Sequence, residues 1–221
     1  MEKSRMAFLG NNRVGKKYLK EETKMMEEVF DEYGRIYETI LKDLYPAKNS
    51  TGFPERNLSV NFSKAYEKIA ATNGQNAISW FEFQFGDKND LHIDAVVMNT
   101  SSKELILVES KRFSEPAKKI REVGEDIDRI YSCIEELKED GNDSRINLKK
   151  YKKVYGLVLA DVWTETPKKK DILKSYKEKK FLTDYSSTID SKQKGISGEE
   201  YYVHDFEKLP NYHLVSFMWK L

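Results

Sequence analysis

Asp94, Glu109 and Lys111 are the residues whose types and placing point most directly to chemistry. Each lies at the polar end of an otherwise apolar run, Leu91–Met98 for the first and Glu104–Arg112 for the other two. Together with Ile78–Phe85, these runs read as three strands with a period of two. The segments between them, GDKND and TSSK, have the length and composition of hairpin loops. If Phe85 pairs with Leu91 and Asn99 with Glu104, then Asp94 stands between Glu82 and Glu109, and His92 between Gln84 and Lys111. Alternation gathers all six side chains at one end of one face. Farther along, that face turns apolar with Trp80, Val96, Leu107, Ile78, Met98 and Leu105. The opposite face carries Phe81, Phe83, Phe85, Ile93, Ala95, Val97, Ile106 and Val108, a plain core.

Carboxylates on neighbouring strands repel one another unless a cation lies between them. Oxygen donors without a histidine or thiolate set suit Mg²⁺ or Mn²⁺. A lysine beside such a site orients or deprotonates a water. The combination suits phosphodiester hydrolysis, in which a bound cation polarises the phosphoryl oxygen and positive charge stabilises the transition state. The competing reading is a solvated sheet end with a cross-strand ion pair, and burial of the acids would favour the site.

The elements that must position these residues follow from periodicity. Residues 21–45 read as an amphipathic helix stopped by Pro46, and AKNSTGFPERN as a linker. A second helix spans about 60–72 and ends at Asn73-Gly74. After the three strands comes a helix over 116–138, with Pro116 in its first turn and an apolar face of Ile120, Val123, Ile127, Ile130, Tyr131, Ile134 and Leu137. Val154–Trp163 is nearly continuously apolar, as expected of a strand covered on both faces. A basic helix over 168–182 and late strands at Tyr201–Phe206 and His213–Trp219 complete the chain. The predicted class is α/β, a mixed sheet flanked by helices. Residues 1–58 are expected as a helical extension with its linker, and 59–221 as the main domain.

Composition narrows the function classes. With 34% charged residues, a net charge of +1 and no apolar run approaching the roughly 20 residues that cross a bilayer, the expectation is a soluble cytoplasmic protein without a membrane partner. A general nucleic-acid coat would be more basic, whereas an enzyme touching a few phosphates need not be. One cysteine, Cys133, and three histidines leave little for a zinc site, and Cys133 reads as a buried helix residue. His204 and His213 read as structural.

The stretch LHIDAVVMNTSSKELILVESKRF resembles the core of the PD-(D/E)XK nuclease superfamily. Its pattern is an acid on the second strand, then acid-x-Lys on the third. Asp94 matches the first element and Glu109-Ser110-Lys111 the second. Glu-x-Lys occurs four times in the chain, but only here does it end an apolar strand preceded by an acid on a hairpin partner. The resemblance covers about residues 60–163. It implies a restriction-endonuclease-like α-β-β-β-α-β core, with Asp94, Glu109 and the Ser110 carbonyl holding Mg²⁺ or Mn²⁺ and Lys111 at the attacking water. Relatives commonly place a glutamate on the preceding helix, where Glu67 stands, and Glu82 is its rival from register alone. The motif's proline is replaced by Ile93, and Ile127 stands where the Gln of a Gln-x-x-x-Tyr signature would precede Tyr131. The implied activity is metal-dependent cleavage of nucleic acid, DNA before RNA and internal before terminal bonds. Gln84, His92, Lys118, Lys119 and Arg121 are candidate substrate contacts, each also readable as an ordinary strand or first-turn residue. The apolar face of the helix over 21–45 reads first as intramolecular core, with a homodimer face as the second option. The alternative function is a nuclease-like fold that binds nucleic acid or protein without cutting.

Overall fold

The computed structural model describes residues 10–43, 55–86, 91–139, 145–192, 196 and 198–221, with side chains from residue 24 to 42 in the first helix. Two helices, α1 (Gly10–Asp43) and α2 (Arg56–Thr72), precede three strands, β1 (Ala77–Phe85), β2 (Leu91–Asn99) and β3 (Glu104–Arg112). Helix α3 (Pro116–Glu139) crosses to β4 (Lys153–Trp163). Then come α4 (Pro167–Lys177), the short α5 (Phe181–Asp184) and α6 (Ser186–Ile189), and the hairpin β5 (Glu200–Phe206) and β6 (Leu209–Lys220). Of the linker expected over 47–57, residues 47–54 lie outside the described residues, while Arg56 and Asn57 already belong to α2. The helix expected from 21 begins at Gly10, and the one expected over 168–182 is two helices, α4 and α5. Among the described residues no helix is long and apolar enough to cross a membrane.

The six strands form one mixed sheet in the order β1-β2-β3-β4-β6-β5. Only β3 and β4 run parallel, and α3 supplies the crossover that a parallel pair requires. Both expected hairpin registers are present: Phe85 pairs with Leu91, and Asn99 with Glu104. The second is set locally. The Asn99 side-chain carbonyl accepts from the Ser101 and Ser102 N–H groups at 3.1 and 3.0 Å, and Lys103 takes a left-handed φ of 58° to close the turn.

Each face of the sheet has its own core. On one side α1 and α2 bury Phe30, Tyr33, Tyr37, Phe62 and Tyr66 against Ala95, Val97, Ile106, Val108 and Leu159. Helix α1, expected as an extension, thus packs into the same core as the sheet. The apolar side foreseen for a homodimer is covered within the molecule. On the other side α3 and α4 bury Ile127, Ile130, Ile134, Ile172 and Tyr176 against Val96, Leu107, Val158 and Phe217. Cys133 is buried among them, and burial pushes its thiol up to about 12.

The expected division of faces fails at one point. Glu82 has a left-handed φ of 52°. Beyond it Phe83, Phe85 and the paired Ile93 pack on the α3 side, whereas Phe81 and Ala95 pack on the α2 side. The β1–β2 arm therefore changes sides at Glu82 and Asp94. Glu136 of α3 holds it, accepting the Gly86 N–H at 2.7 Å, and beyond the helix the Arg145 guanidinium donates to the Gln84 carbonyl at 2.9 Å. The β2–β3 ladder ends at Ala95 and Val108, while β1 and β2 stay paired to Leu91. The two hairpins fork there.

Gly124 sets how closely α3 approaches its neighbours, because a β-carbon at this position would run into the Ile189 carbonyl oxygen. Helix propensity alone would favour alanine there by about 1 kcal/mol. The clash with backbone outweighs that gain, so Gly124→Ala is expected to lower stability by about 1–3 kcal/mol. The expected observation is a lower urea midpoint at unchanged slope.

Candidate active site

The end of β3 at the fork carries a buried charge cluster built from three elements. Asp94, on β2 where the ladder stops, uses Oδ2 to accept the Ser110 N–H at 2.8 Å, replacing the ladder bond that the fork removes. Glu109 and Lys111 alternate with Ser110 on β3 and face α3. Glu109 is 1% exposed and accepts from Arg129 Nη1 at 2.9 Å. Lys111 Nζ lies 3.1 Å from Asp126 Oδ2. The same Arg129 nitrogen donates to Asp126 Oδ1 at 3.0 Å. Asp126 is fully buried, and it reaches the sheet because it sits within the apolar stripe of α3, between Val123 and Ile130.

Three carboxylates and two side-chain cations share this space. Burial, then repulsion from Asp126 and Asp94, drives the Glu109 carboxyl well above its usual range against the pull of Arg129. Burial raises Asp126 to about 6 in spite of Lys111 and Arg129. Asp94 is also raised by burial, which the Ser110 N–H and Lys111 only partly offset. For Lys111, burial pulls the ammonium down, and Asp126 with Glu109 pushes it past its ordinary value. Lys111 is therefore a fixed positive charge in this arrangement, suited to stabilising an anion more than to accepting a proton.

Of the six side chains expected on one face, the fold brings Asp94, Glu109 and Lys111 together and sends the others away. The turn of the arm at Glu82 places Gln84 exposed and His92 half-exposed on the other side, where His92 lies 3.5 Å from Glu82 and Glu82 3.8 Å from Arg56. The β1–β2 register is as expected here, but the left-handed backbone inverts the alternation, and the β2–β3 ladder ends before the expected Asp94–Glu109 and His92–Lys111 pairs. Glu67 is half-buried on α2, in the layer across the sheet from Asp126. Of the candidate phosphate contacts, Lys119 is held by Glu55 and Glu122, each at 3.0 Å, while Lys118 is half-exposed near Glu122 and Arg121 is exposed. Sequence reasoning missed Asp126 and Arg129. Their signal was a carboxylate inside an apolar stripe with an arginine three residues on. Glu55, also missed, accepts the Arg112 N–H at 2.8 Å and has no motif to announce it.

On the other face of the same sheet end, Asp161 is fully buried and accepts from Arg112 at 2.9 Å and Tyr212 at 3.1 Å. His213, buried on the α4 face of β6, bonds Asp205 at 2.6 Å and Thr164 at 3.3 Å. The Arg112, Asp161 and Tyr212 contacts tie β3, β4 and β6 together behind the site.

The donor set is all oxygen and has more carboxyl groups than side-chain cations, which fits a hard divalent cation. Among the described residues, however, no three such side chains converge on a single ion position. Arg129 and Lys111 hold Glu109 and Asp126 instead. Compared with protein-family models, with curated proteins and with solved structures, the chain finds no significant match.

Asp126 has a folded pKa of about 6, above its unfolded value near 3.8, so its contribution to stability is fully present below about 3.8 and lost as pH rises through 6. Asp126→Asn, which holds the neutral state, is expected in chelator to exceed the wild type by about 1–3 kcal/mol above pH 6.5, with the difference vanishing toward pH 4. Urea titrations across pH check this, and a difference independent of pH would count against it.

Proposed function

We propose that this protein is a divalent-metal-dependent nuclease of the PD-(D/E)XK type, cleaving phosphodiester bonds within DNA. The observation that carries the reading is the meeting of Asp94, Glu109 and Lys111, from two strands, at a fork in the sheet, with Glu109 buried, Asp94 and Lys111 half-buried, and carboxyl groups outnumbering the side-chain cations around them. An acid-acid-lysine set on a solvated sheet end would have no such cost to bear. The element order α2-β1-β2-β3-α3-β4, with one parallel pair and helices on both faces, supports a restriction-endonuclease-like topology.

Asp94, Glu109 and the Ser110 carbonyl would hold Mg²⁺ or Mn²⁺, which supplies Lewis-acid polarisation of the phosphoryl oxygen. Lys111, anchored at Asp126, presents positive charge where it develops on the phosphate and can position the attacking water. The wall of Leu107, Ile127 and Ile130 behind these groups lowers the local dielectric and strengthens each interaction. One observation favours a second reading, binding without cleavage: Lys111 and Arg129 already have carboxylate partners.

Cleavage of supercoiled and linear DNA separates the two. Purified protein is expected to cut with Mg²⁺ or Mn²⁺ and not with chelator, and to nick the supercoiled form. Lys111→Ala and Asp94→Asn are each expected to lose about 100-fold or more in rate. DNA binding by folded protein with no cutting under any of these conditions favours the second reading, and cutting that survives Lys111→Ala overturns the assignment of the site.

A further inference from the structure

Arg129 stands apart from the other members of the charge cluster. Glu109 and Asp126 have side chains only 2% and 1% exposed, and Lys111 12%, whereas Arg129 is 28% exposed. The carboxylates are fixed inside and the arginine lies at the mouth. It contacts both carboxylates through one nitrogen, Nη1, at 2.9 and 3.0 Å, rather than meeting either as a two-pronged fork. Its contact with Asp126 is a local one, three residues back on the same helix, while its contact with Glu109 crosses from helix to sheet. Arg129 can therefore release Glu109 and remain tethered to Asp126.

Charge counting gives a reason for it to do so. When all three are ionised, the carboxylates exceed Lys111 and Arg129 by one charge. With a divalent cation present, Lys111 and that ion balance the three carboxylates without Arg129. The guanidinium is then surplus inside the cluster and available to an anionic substrate, for which a planar five-donor group is well shaped.

We propose that Arg129 is the resident counter-ion of Glu109, displaced when a divalent cation binds, and that it then engages the phosphate of the nucleic-acid substrate. This rests on the nuclease reading above and gives α3 a positioning role in it. In the metal-free state Arg129 keeps Glu109 from standing as an unpaired buried charge, which is costly. In the loaded state it adds positive charge on the substrate side, so cation occupancy and substrate capture are linked.

The test is Mn²⁺ binding by the full chain, read from the loss of the free-ion electron paramagnetic resonance signal, beside DNA cleavage by the same samples. Arg129→Gln removes the competitor for Glu109 and is expected to bind Mn²⁺ about tenfold more tightly than the wild type. The same variant is expected to cut DNA about 100-fold more slowly. An arginine that merely supports the fold would give the opposite sign, weaker Mn²⁺ binding on removal. Arg129→Lys keeps the charge and guards against misfolding of the glutamine variant; it is expected to bind Mn²⁺ between the other two. Asp94→Asn is expected to bind Mn²⁺ weakly.

If the wild type binds Mn²⁺ and cuts DNA while the folded glutamine and lysine variants bind the ion no more tightly, the displacement is wrong and the nuclease reading stands. Cutting by Arg129→Gln at the wild-type rate overturns the phosphate contact. If neither the wild type nor Arg129→Gln binds Mn²⁺, the nuclease reading itself fails, and this inference with it.

Discussion

Bringing a carboxylate out of water costs several kcal/mol unless charge or hydrogen bonds replace its hydration. This protein does so with three of them at one end of β3, and the surrounding architecture answers that cost. The Ser110 N–H serves Asp94 because β2 leaves β3 at that level. Arg129 and Lys111 serve Glu109 and Asp126 because α3 runs back across the strand that carries two of the four. Without α3 at its present distance, the sheet end would hold unpaired charges. Gly124 lets α6 close on the same helix, with the Ile189 carbonyl occupying the space a β-carbon would need.

The single parallel pair is what makes the arrangement available. A parallel connection needs a crossover, and the crossover helix must lie over the strand it leaves. The end of β3 is thus covered by the residues that follow it in sequence, and an acid and an arginine on α3 come to face an acid and a lysine on β3. The opposite face at the same level is sealed differently, by the Arg112–Asp161 pair and Tyr212. Two buried ionic groups therefore sit back to back across the end of β3, one complete in itself and the other with more carboxyl groups than side-chain cations.

Much of this was legible in the residues. Turn lengths were enough to set both hairpin registers, since TSSK and GDKND leave few ways to close. Apolar periodicity located the strands and the long helices, with boundaries off by a few residues except at α1, which begins eleven residues earlier than its apolar face indicates. Asp94, Glu109 and Lys111 were legible because hydrophobic neighbours made their polarity conspicuous. Glu82 was not, because nothing in its side chain announces a left-handed backbone, a conformation more usual for glycine or asparagine. That one angle displaced Gln84, His92, Phe83, Phe85 and Ile93 from their expected faces. Asp126 was hidden for another reason: a helix of this charge density carries many acids, and only its phase relative to Val123 and Ile130 marks this one as inward. The packing of α1 into the core was equally silent, since an apolar helix face does not say which surface it meets.

The turn at Glu82 has a mechanical corollary. Up to that residue β1 and β2 belong to the sheet, and past it they are seated on α3 by Phe83, Phe85 and Ile93 and fastened by Glu136 and Arg145. The arm and the helix make one lever, with Glu82 and Asp94 as its fulcrum and the fork between β2 and β3 as its jaw. Asp94 stands at the fulcrum itself, bonded to the Ser110 N–H. A small tilt of α3 would then be felt at the jaw, not at the carboxylate that anchors it.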